Sequence, residues 1–362
     1  MHWSTQQSSA LQSVRHWLRD KRGKQVFRLF GYAGVGKTTL AREIAGSVDG
    51  LVVFATFTGK AALVLKSTGC AGARTIHSLI YKVVDPDAQE IEYERNPDSE
   101  ATLAKLIIID EVSMVNEELG RDLESFGVKI LVLGDPMQLP PVEGDGYFTR
   151  DKPDVLLTEI HRQAADNPII QIATDVRNGK PLAYGRYGES KIIHRSDLDQ
   201  ADVLGADQVL VGMNKTRKVF NTRIRTLKGF TSPLPEHGDR LICLKNNRDR
   251  GLLNGSMWTC DVVEHKNGRV GLDVTSLDGL ADPGRLSVLN EFFLGTEDKL
   301  DWRQKRTSDE FTYGRVITVH KSQGSQWDTL MLFDESGMFR ENRINHLYTA
   351  ITRAAERITI VI

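Results

Sequence analysis

The sequence predicts an α/β protein made of two α/β halves, each interrupted by a smaller β-rich piece. Three observations carry this reading. The run Gly31-Tyr32-Ala33-Gly34-Val35-Gly36-Lys37-Thr38-Thr39 fits G-x-x-x-x-G-K-[ST], with an apolar strand pattern before it (26–30) and a helical pattern after it (40–45). A second apolar run, Leu106-Ile107-Ile108-Ile109, ends in the carboxylates Asp110 and Glu111. Beyond residue 166 strands and helices recur, and a β-rich block with Asn-Gly turns at 254–255 and 267–268 lies among them.

Composition sets the outer limits. A chain of 362 residues suits two or three domains, and 26% charged with 40% hydrophobic residues is ordinary soluble composition. No apolar run approaches the ~20 residues of a membrane span. Met1-His2-Trp3-Ser4 lacks the apolar core of a signal peptide. Cys70, Cys243 and Cys260 have no metal-ligand spacing; they read as small buried hydrophobes in a reduced, cytosolic setting. A net charge of −1 excludes a generally basic coat but leaves a local basic groove open.

In chain order, residues 3–18 form a helix behind a Ser4 or Thr5 cap, with Ala10, Leu11, Val14, Trp17 and Leu18 on one face. Gln7 at its start is either a solvated first-turn residue or a reader of an adenine edge. In the glycine run, backbone N–H groups turn inward without a Cβ in the way, and the following helix N-terminus adds partial positive charge. Gly34, Val35, Gly36, Lys37, Thr38 and Thr39 are therefore candidate phosphate contacts, with Lys37 on the β- and γ-phosphates and Thr38 on Mg²⁺. Strand 51–56 leads through Phe57-Thr58-Gly59-Lys60 into a helix; this is either a ligand-binding turn or an ordinary strand-to-helix loop. His77 follows in Thr75-Ile76-His77-Ser78. The acidic stretch 81–101, with a turn at Asp85-Pro86-Asp87 and alternation at 90–94, reads as an inserted hairpin. At the end of strand 106–109, Asp110 can hold Mg²⁺ through water and Glu111 can activate the attacking water. Strand 129–133 ends at Gly134-Asp135-Pro136-Met137-Gln138, where Gln138 can bond a γ-phosphate or its water. Arg162 is a surface charge or an arginine finger.

In the second half, 168–177 is helical, the stretch to Ser190 is loop, and 208–212 is a strand. Residues 215–228 carry six basic side chains and no acid, with Phe220, Ile224 and Leu227 as the apolar face. The remaining face is a solvated surface or a phosphate-binding one. Residues 238–295 read as a small barrel or sheet module. The strand at 316–319 runs into His320-Lys321-Ser322-Gln323-Gly324, a second strand follows at 330–333, and helix 345–354 precedes the closing strand 358–362. Arg353, near the end of that helix, could face a nucleotide.

The ordered pieces TQQ, GYAGVGKTT, TFTGKAA, TIHS, IIIDEVSMV, LGDPMQLPPV, EIHRQ, TVHKSQGSQWD and YTAITRA, spanning residues 5–354, resemble the motif series of superfamily-1 helicases. The nearest resemblance is to the 5′→3′ branch with RecD-like and phage Dda-like enzymes. It implies two RecA-like P-loop NTPase motor domains, 1–165 with a β-hairpin pin at 79–104 and 166–362 with a small β-barrel-like insertion at 238–310. It implies Gln7 on adenine, Gly324 at the nucleotide, and Arg162 and Arg353 as arginine fingers. It further implies DNA contacts at Thr58, Gly59, Lys60, His77, Asn214, Asn254, His320 and Ser322. The hairpin has no Phe or Trp, so Tyr93 or Ile91 would meet the base pair.

The function expected from residues and resemblance together is ATP–Mg²⁺-dependent translocation on single-stranded DNA, 5′→3′, with duplex unwinding in replication, recombination or repair. The partners expected are single-stranded DNA, duplex with a single-stranded tail, and single-strand-binding or replication and recombination proteins. The protein would be a monomer without membrane association, in the cytoplasm at the nucleoid, or in the host cytoplasm if viral. The alternatives are a translocase or remodeller that does not separate strands, the motor subunit of a recombination nuclease, and a nucleic-acid-binding module with a dead nucleotide site.

Overall fold

The computed structural model describes residues 3–85, 92–141, 146–159, 167–247 and 249–362. Chain contacts divide the protein into two compact units, Met1–Pro181 with Ile344–Thr352, and Leu182–Arg343 with Arg353–Ile362. The division falls at 181/182 rather than at 165/166, because helix Pro168–Arg177 buries Ile169, Ile172, Ala173 and Val176 and belongs to the first unit. The segment Ile344–Thr352, expected in the second half, also groups with the first unit.

The first unit contains β1 (Val26–Gly31), β2 (Val52–Thr56), β3 (Arg74–Thr75), β4 (Tyr81–Asp85), β5 (Glu92–Arg95), β6 (Leu106–Asp110), β7 (Lys129–Gly134) and β8 (Val155–Leu157). Its main sheet has the order β3-β2-β6-β7-β1-β8, and every neighbouring pair is parallel. A parallel sheet is covered on both faces, which is why its strands read as unbroken apolar runs. Leu106 and Ile108 pack on one side with Val14, Leu40 and Ile44 from the helices. Ile107 and Ile109 pack on the other with Ile76, Leu119 and Leu123. The register pairs Thr56 with Asp110 and Phe30 with Gly134, so the C-terminal ends of β1, β2, β6 and β7 share one edge. Ligands bind at that edge in open α/β sheets.

Strands β4 and β5 pair antiparallel, as the expected hairpin requires. Ile91 and the rest of the connection lie outside the described residues. Tyr93 pairs with Val83 within the ladder, two positions from the Tyr81–Arg95 pair. Its ring packs 6.0 Å from Tyr81 and 6.3 Å from His77. Tyr93 thus stacks toward the root of the hairpin.

The second unit contains β9 (Gly185–Tyr187), β10 (Ser190–Ile193), β11 (Gln208–Val211), β12 (Arg240–Cys243), β13 (Met257–Lys266), β14 (Arg269–Ser276), β15 (Leu286–Leu289), β16 (Phe311–Tyr313), β17 (Val316–Thr318), β18 (Trp327–Phe333) and β19 (Ala354–Val361). Strands β17-β11-β18-β19-β10-β9 form a sheet that is parallel except at its antiparallel edge strand β9. The stretch expected as loop before Ser190 therefore supplies an edge strand. The β-rich block is a five-stranded antiparallel sheet, β15-β14-β13-β12-β16, around Trp258, Phe292, Phe293 and Phe311. It runs to Tyr313, three residues past the expected limit of 310, and Asp309 N–H donates to Ser287 O at 3.0 Å to draw its edge strands together. Cys70, Cys243 and Cys260 are buried and free. Among the described residues no helix is long and apolar enough to cross a membrane.

The basic run forms helix Asn214–Leu227, but its faces differ from those expected. Leu227 is exposed, while Asn221, Ile224 and Arg225 are buried. Arg225 Nε donates to both carboxylate oxygens of Asp239, at 2.9 and 3.1 Å, and its Nη2 to Asp239 Oδ2 at 2.9 Å. Lys218 lies 3.4 Å from Glu297. Counter-charges for Lys218 and Arg225 are thus supplied from farther along the chain. Arg225→Ala leaves Asp239 buried without its partner, and a loss of about 3 kcal/mol is expected in denaturant unfolding of the full chain.

Candidate active site

The glycine run forms the turn between β1 and helix Lys37–Gly46. Gly36 caps that helix at φ 80° and Gly34 stands at φ 79°, left-handed conformations that a side chain resists. Lys37 Nζ reaches back to Gly31 O at 2.6 Å and Tyr32 O at 3.0 Å, so the ammonium lies against the loop. Its neighbour Thr38 donates from Oγ1 to Asp110 Oδ2 at 3.0 Å, which joins the loop to the end of β6. Thr39 follows on the helix, and Val35 is buried beneath the loop.

Gln7 is buried and its amide is committed. Ser4 N–H donates to Oε1 at 3.0 Å within a capping box, and Nε2 donates to Val35 O at 3.1 Å. In this arrangement it braces the phosphate loop from below, and reading an adenine edge would require Nε2 to exchange that partner.

Burial, then the adjacent Glu111 charge, pushes the Asp110 carboxyl up to about 6, while Lys37 pulls it back. With its folded value raised, this carboxyl costs stability progressively as pH rises past the unfolded value, and the cost is complete above about 6. Asp110→Asn is therefore expected to raise the thermal unfolding midpoint at pH 7.5, by the equivalent of about 1–3 kcal/mol. Glu111 adopts φ 57° and ψ 48°, left-handed backbone in a non-glycine residue. That conformation breaks the strand direction at the sheet edge and leads into the tight turn Val112–Met114. Gln138 Oε1 accepts from Ser113 Oγ at a long 3.4 Å, which sets it beside the turn that follows Glu111.

Several residues not singled out in the sequence complete this edge. The Tyr348 hydroxyl accepts from Ala33 N–H at 2.9 Å and donates to Asp135 Oδ2 at 2.7 Å. Leu139 N–H donates to Thr349 Oγ1 at 2.9 Å. The Arg177 guanidinium lies 3.7 Å over the Tyr32 ring. Burial raises the Asp135 carboxyl above the usual carboxylate range. Asp135 was legible as an acid after a strand and Tyr348 as the first residue of the YTAITRA piece, whereas Arg177 carries no local signal.

Arg162 lies outside the described residues. Arg353 follows helix Arg343–Ile351 rather than lying on it; it is buried in the second unit, with Nη1 donating to Ser325 O at 3.4 Å. Gly324, at φ 75°, belongs to the same unit.

The expected DNA contacts also fall into separate places. Thr58 caps helix Gly59–Ser67, its Oγ1 accepting from Ala61 N–H at 3.2 Å, and Gly59 and Lys60 are buried there. His77 is packed among Phe57, Tyr81 and Tyr93, and burial lowers its pKa, which favours a neutral ring. In the second unit Asn214 begins a helix and accepts from Arg217 Nε at 3.1 Å, and Asn254 accepts from Lys321 Nζ. His320 packs 5.5 Å from Phe339. Ser322 is buried, its hydroxyl donating to Val319 O at 2.6 Å, so it supports the turn from inside.

A phosphate loop before a helix, two carboxylates at a neighbouring strand end and a polar turn at the next strand define a P-loop nucleotide-binding class. Residues 3–198 match the family described as AAA domain, and the chain belongs to that family. Residues 313–361 match the UvrD-like helicase C-terminal domain. The chain is 28% identical to the ATP-dependent RecD2 DNA helicase of Deinococcus radiodurans, over 92% of this chain and 46% of that protein. It is 34% identical to the ATP-dependent DNA helicase Dda of Enterobacteria phage T4, over 48% of this chain and 42% of that protein. The chain thus spans less than half the length of either relative. A solved structure of Pif1 helicase from Bacteroides with ADP-AlF3 and single-stranded DNA superposes with a TM-score of 0.58 at 17% identity, covering 99% of this chain and 92% of that one. The fold is therefore that of helicases with two RecA-like domains, and the RecD-like and Dda-like resemblance of the motifs is borne out.

Proposed function

We propose that the protein is an ATP-dependent DNA helicase that moves 5′→3′ on single-stranded DNA and unwinds duplex. The single observation carrying this is the shared sheet edge, where Lys37, Thr38, Asp110, Glu111 and Gln138 converge by contacts within one unit. Likeness to RecD2, Dda and Pif1 helicases supports the nucleic-acid half of the reading.

The residues fit Mg²⁺. It takes one or two protein ligands and otherwise waters and substrate phosphates, and Thr38 Oγ1 and Asp110 Oδ2 are already adjacent at 3.0 Å. When bound, the ion would neutralise charge on the phosphate oxygens. Lys37 would bind the β- and γ-phosphates, Glu111 would take a proton from water, and Gln138 would position that water or the γ-phosphate. Arg162 and Arg353 are proposed as fingers, and Gln7 as the adenine contact after exchange of its Val35 bond. Thr58, Gly59, His77 and Tyr93 would form one nucleic-acid face, and Asn214, Asn254 and His320 another. The proposed division remains two motor domains with a pin and a β-rich insertion, in a monomer acting on nucleoid or host DNA.

The test is unwinding of duplexes with a 5′ or a 3′ single-stranded tail, with and without ATP. ATP-dependent strand separation confined to the 5′-tailed duplex is expected. Preference for the 3′ tail overturns the polarity. DNA-stimulated hydrolysis without strand separation favours the translocase reading, for which the stacking of the Tyr93 ring against Tyr81 and His77 is a specific argument.

A further inference from the structure

We propose that Tyr348 is a positioning residue that ties the phosphate loop to the Asp135–Leu139 turn and so couples nucleotide occupancy to Gln138. The inference rests on the nucleotide reading of the loop and names a regulator of that same site.

A tyrosine hydroxyl has one proton to give and lone pairs to receive. Here both capacities are used across long sequence separations. Its oxygen accepts Ala33 N–H, inside the glycine run, and its proton goes to Asp135 Oδ2, at the end of β7. Tyr348 and Asp135 are 1% and 2% exposed, so water cannot replace either bond. An unmade bond to a buried carboxylate is costly, which makes the connection stiff.

The helix bearing Tyr348 grips the same turn twice more. Thr349 Oγ1 accepts Leu139 N–H at 2.9 Å, and Asn345 Nδ2 donates to Gln138 O at 3.4 Å. Gln138 therefore stands between two residues held by one helix, while the adjacent phenol holds the loop. A phosphate that draws the loop backbone moves Ala33, and the phenol passes that movement to Asp135 and so to Gln138. Ile344–Thr352 belongs to the first unit, so all of these contacts lie within that unit.

Tyr348→Phe removes one oxygen and keeps the ring that fills the site. The experiment measures ATP hydrolysis by the full chain against ATP concentration, with and without single-stranded oligothymidylate. In the variant, kcat with DNA is expected to fall about tenfold while KM for ATP moves less than about threefold. Asp135→Asn removes the carboxylate end of the same link, and the double variant should lose no more than about twofold beyond the worse single variant. Losses that multiply, or a Tyr348→Phe enzyme that keeps its DNA stimulation, overturn the inference. A matched rise in KM and fall in unfolding midpoint overturns it too, since that is the signature of a merely structural role. If the unaltered chain neither binds nor hydrolyses ATP, the nucleotide reading itself fails, which the unaltered-chain control reports separately.

Discussion

Lys37→Ala should reduce DNA-stimulated ATP hydrolysis by about 10²–10³-fold, the scale for removing one preorganised group from a developing phosphoryl charge. The structure explains why the loss is local. Lys37 is the first residue of helix Lys37–Gly46, and among the described residues its Nζ bonds to the carbonyls of Gly31 and Tyr32. Alanine is a better helix former than lysine, so the helix has no reason to unwind. The turn conformation comes from Gly34 and Gly36, which are untouched. The apolar support from Val35, Leu40 and Ile44 is unaltered as well. Binding of single-stranded DNA, followed by fluorescence anisotropy without nucleotide, should therefore stay within about twofold, since no proposed DNA contact is removed. Turnover retained in Lys37→Ala would refute the nucleotide reading. Loss of both activities together would mean that the loop also organises the nucleic-acid face. Arginine at this position is not expected to rescue, because a planar fork cannot stand in for a compact point charge at the end of a four-carbon stem.

How much of this was legible beforehand follows from the physics of each element. The central strands β1, β2, β6 and β7 were readable because burial on both faces demands continuous apolar runs, and glycines or carboxylates mark their ends. Strands β3, β8 and β9 are only two or three residues long, too short to show any period. They exist because neighbours offer unpaired edges, as when β8 aligns Val155 with Leu29. The phosphate loop and Asp110-Glu111 were readable because their chemistry is contiguous. The Tyr348 link was not, because its partners lie 315 and 213 residues away. The basic run misled for the same reason. Arg225 looked like a free cation until Asp239, 14 residues on, was seen to bury it. Ser322 sits in a convincing polar motif, yet its hydroxyl is turned inward by its own tight turn.

Glu111→Gln should lower multiple-turnover hydrolysis by about 10²–10⁴-fold while leaving nucleotide and DNA binding in place. Glutamine keeps the length and hydrogen-bonding capacity of glutamate and loses only the basicity. The prediction is specific because of how the backbone presents this residue. At φ 57° and ψ 48° Glu111 stands in a conformation that costs a non-glycine residue about 1–3 kcal/mol. Its N–H is fixed by Asp110 Oδ1 at 2.9 Å, and the buried Val112 and Ser113 follow at once, so the strain is held from both sides. A residue that only capped a strand end would have settled into an unstrained conformation. Glu111→Gly offers the contrast. Glycine accepts the left-handed backbone at little cost, so that variant should unfold at a higher temperature, by up to about 1 kcal/mol in stability, while losing hydrolysis as fully as Glu111→Gln. A Glu111→Gly protein that is less stable would show that the side chain, and not the turn, holds this edge. A Glu111→Gln enzyme that retains its turnover would move the general base elsewhere, with Asp135 as the next carboxylate to test at the same sheet edge.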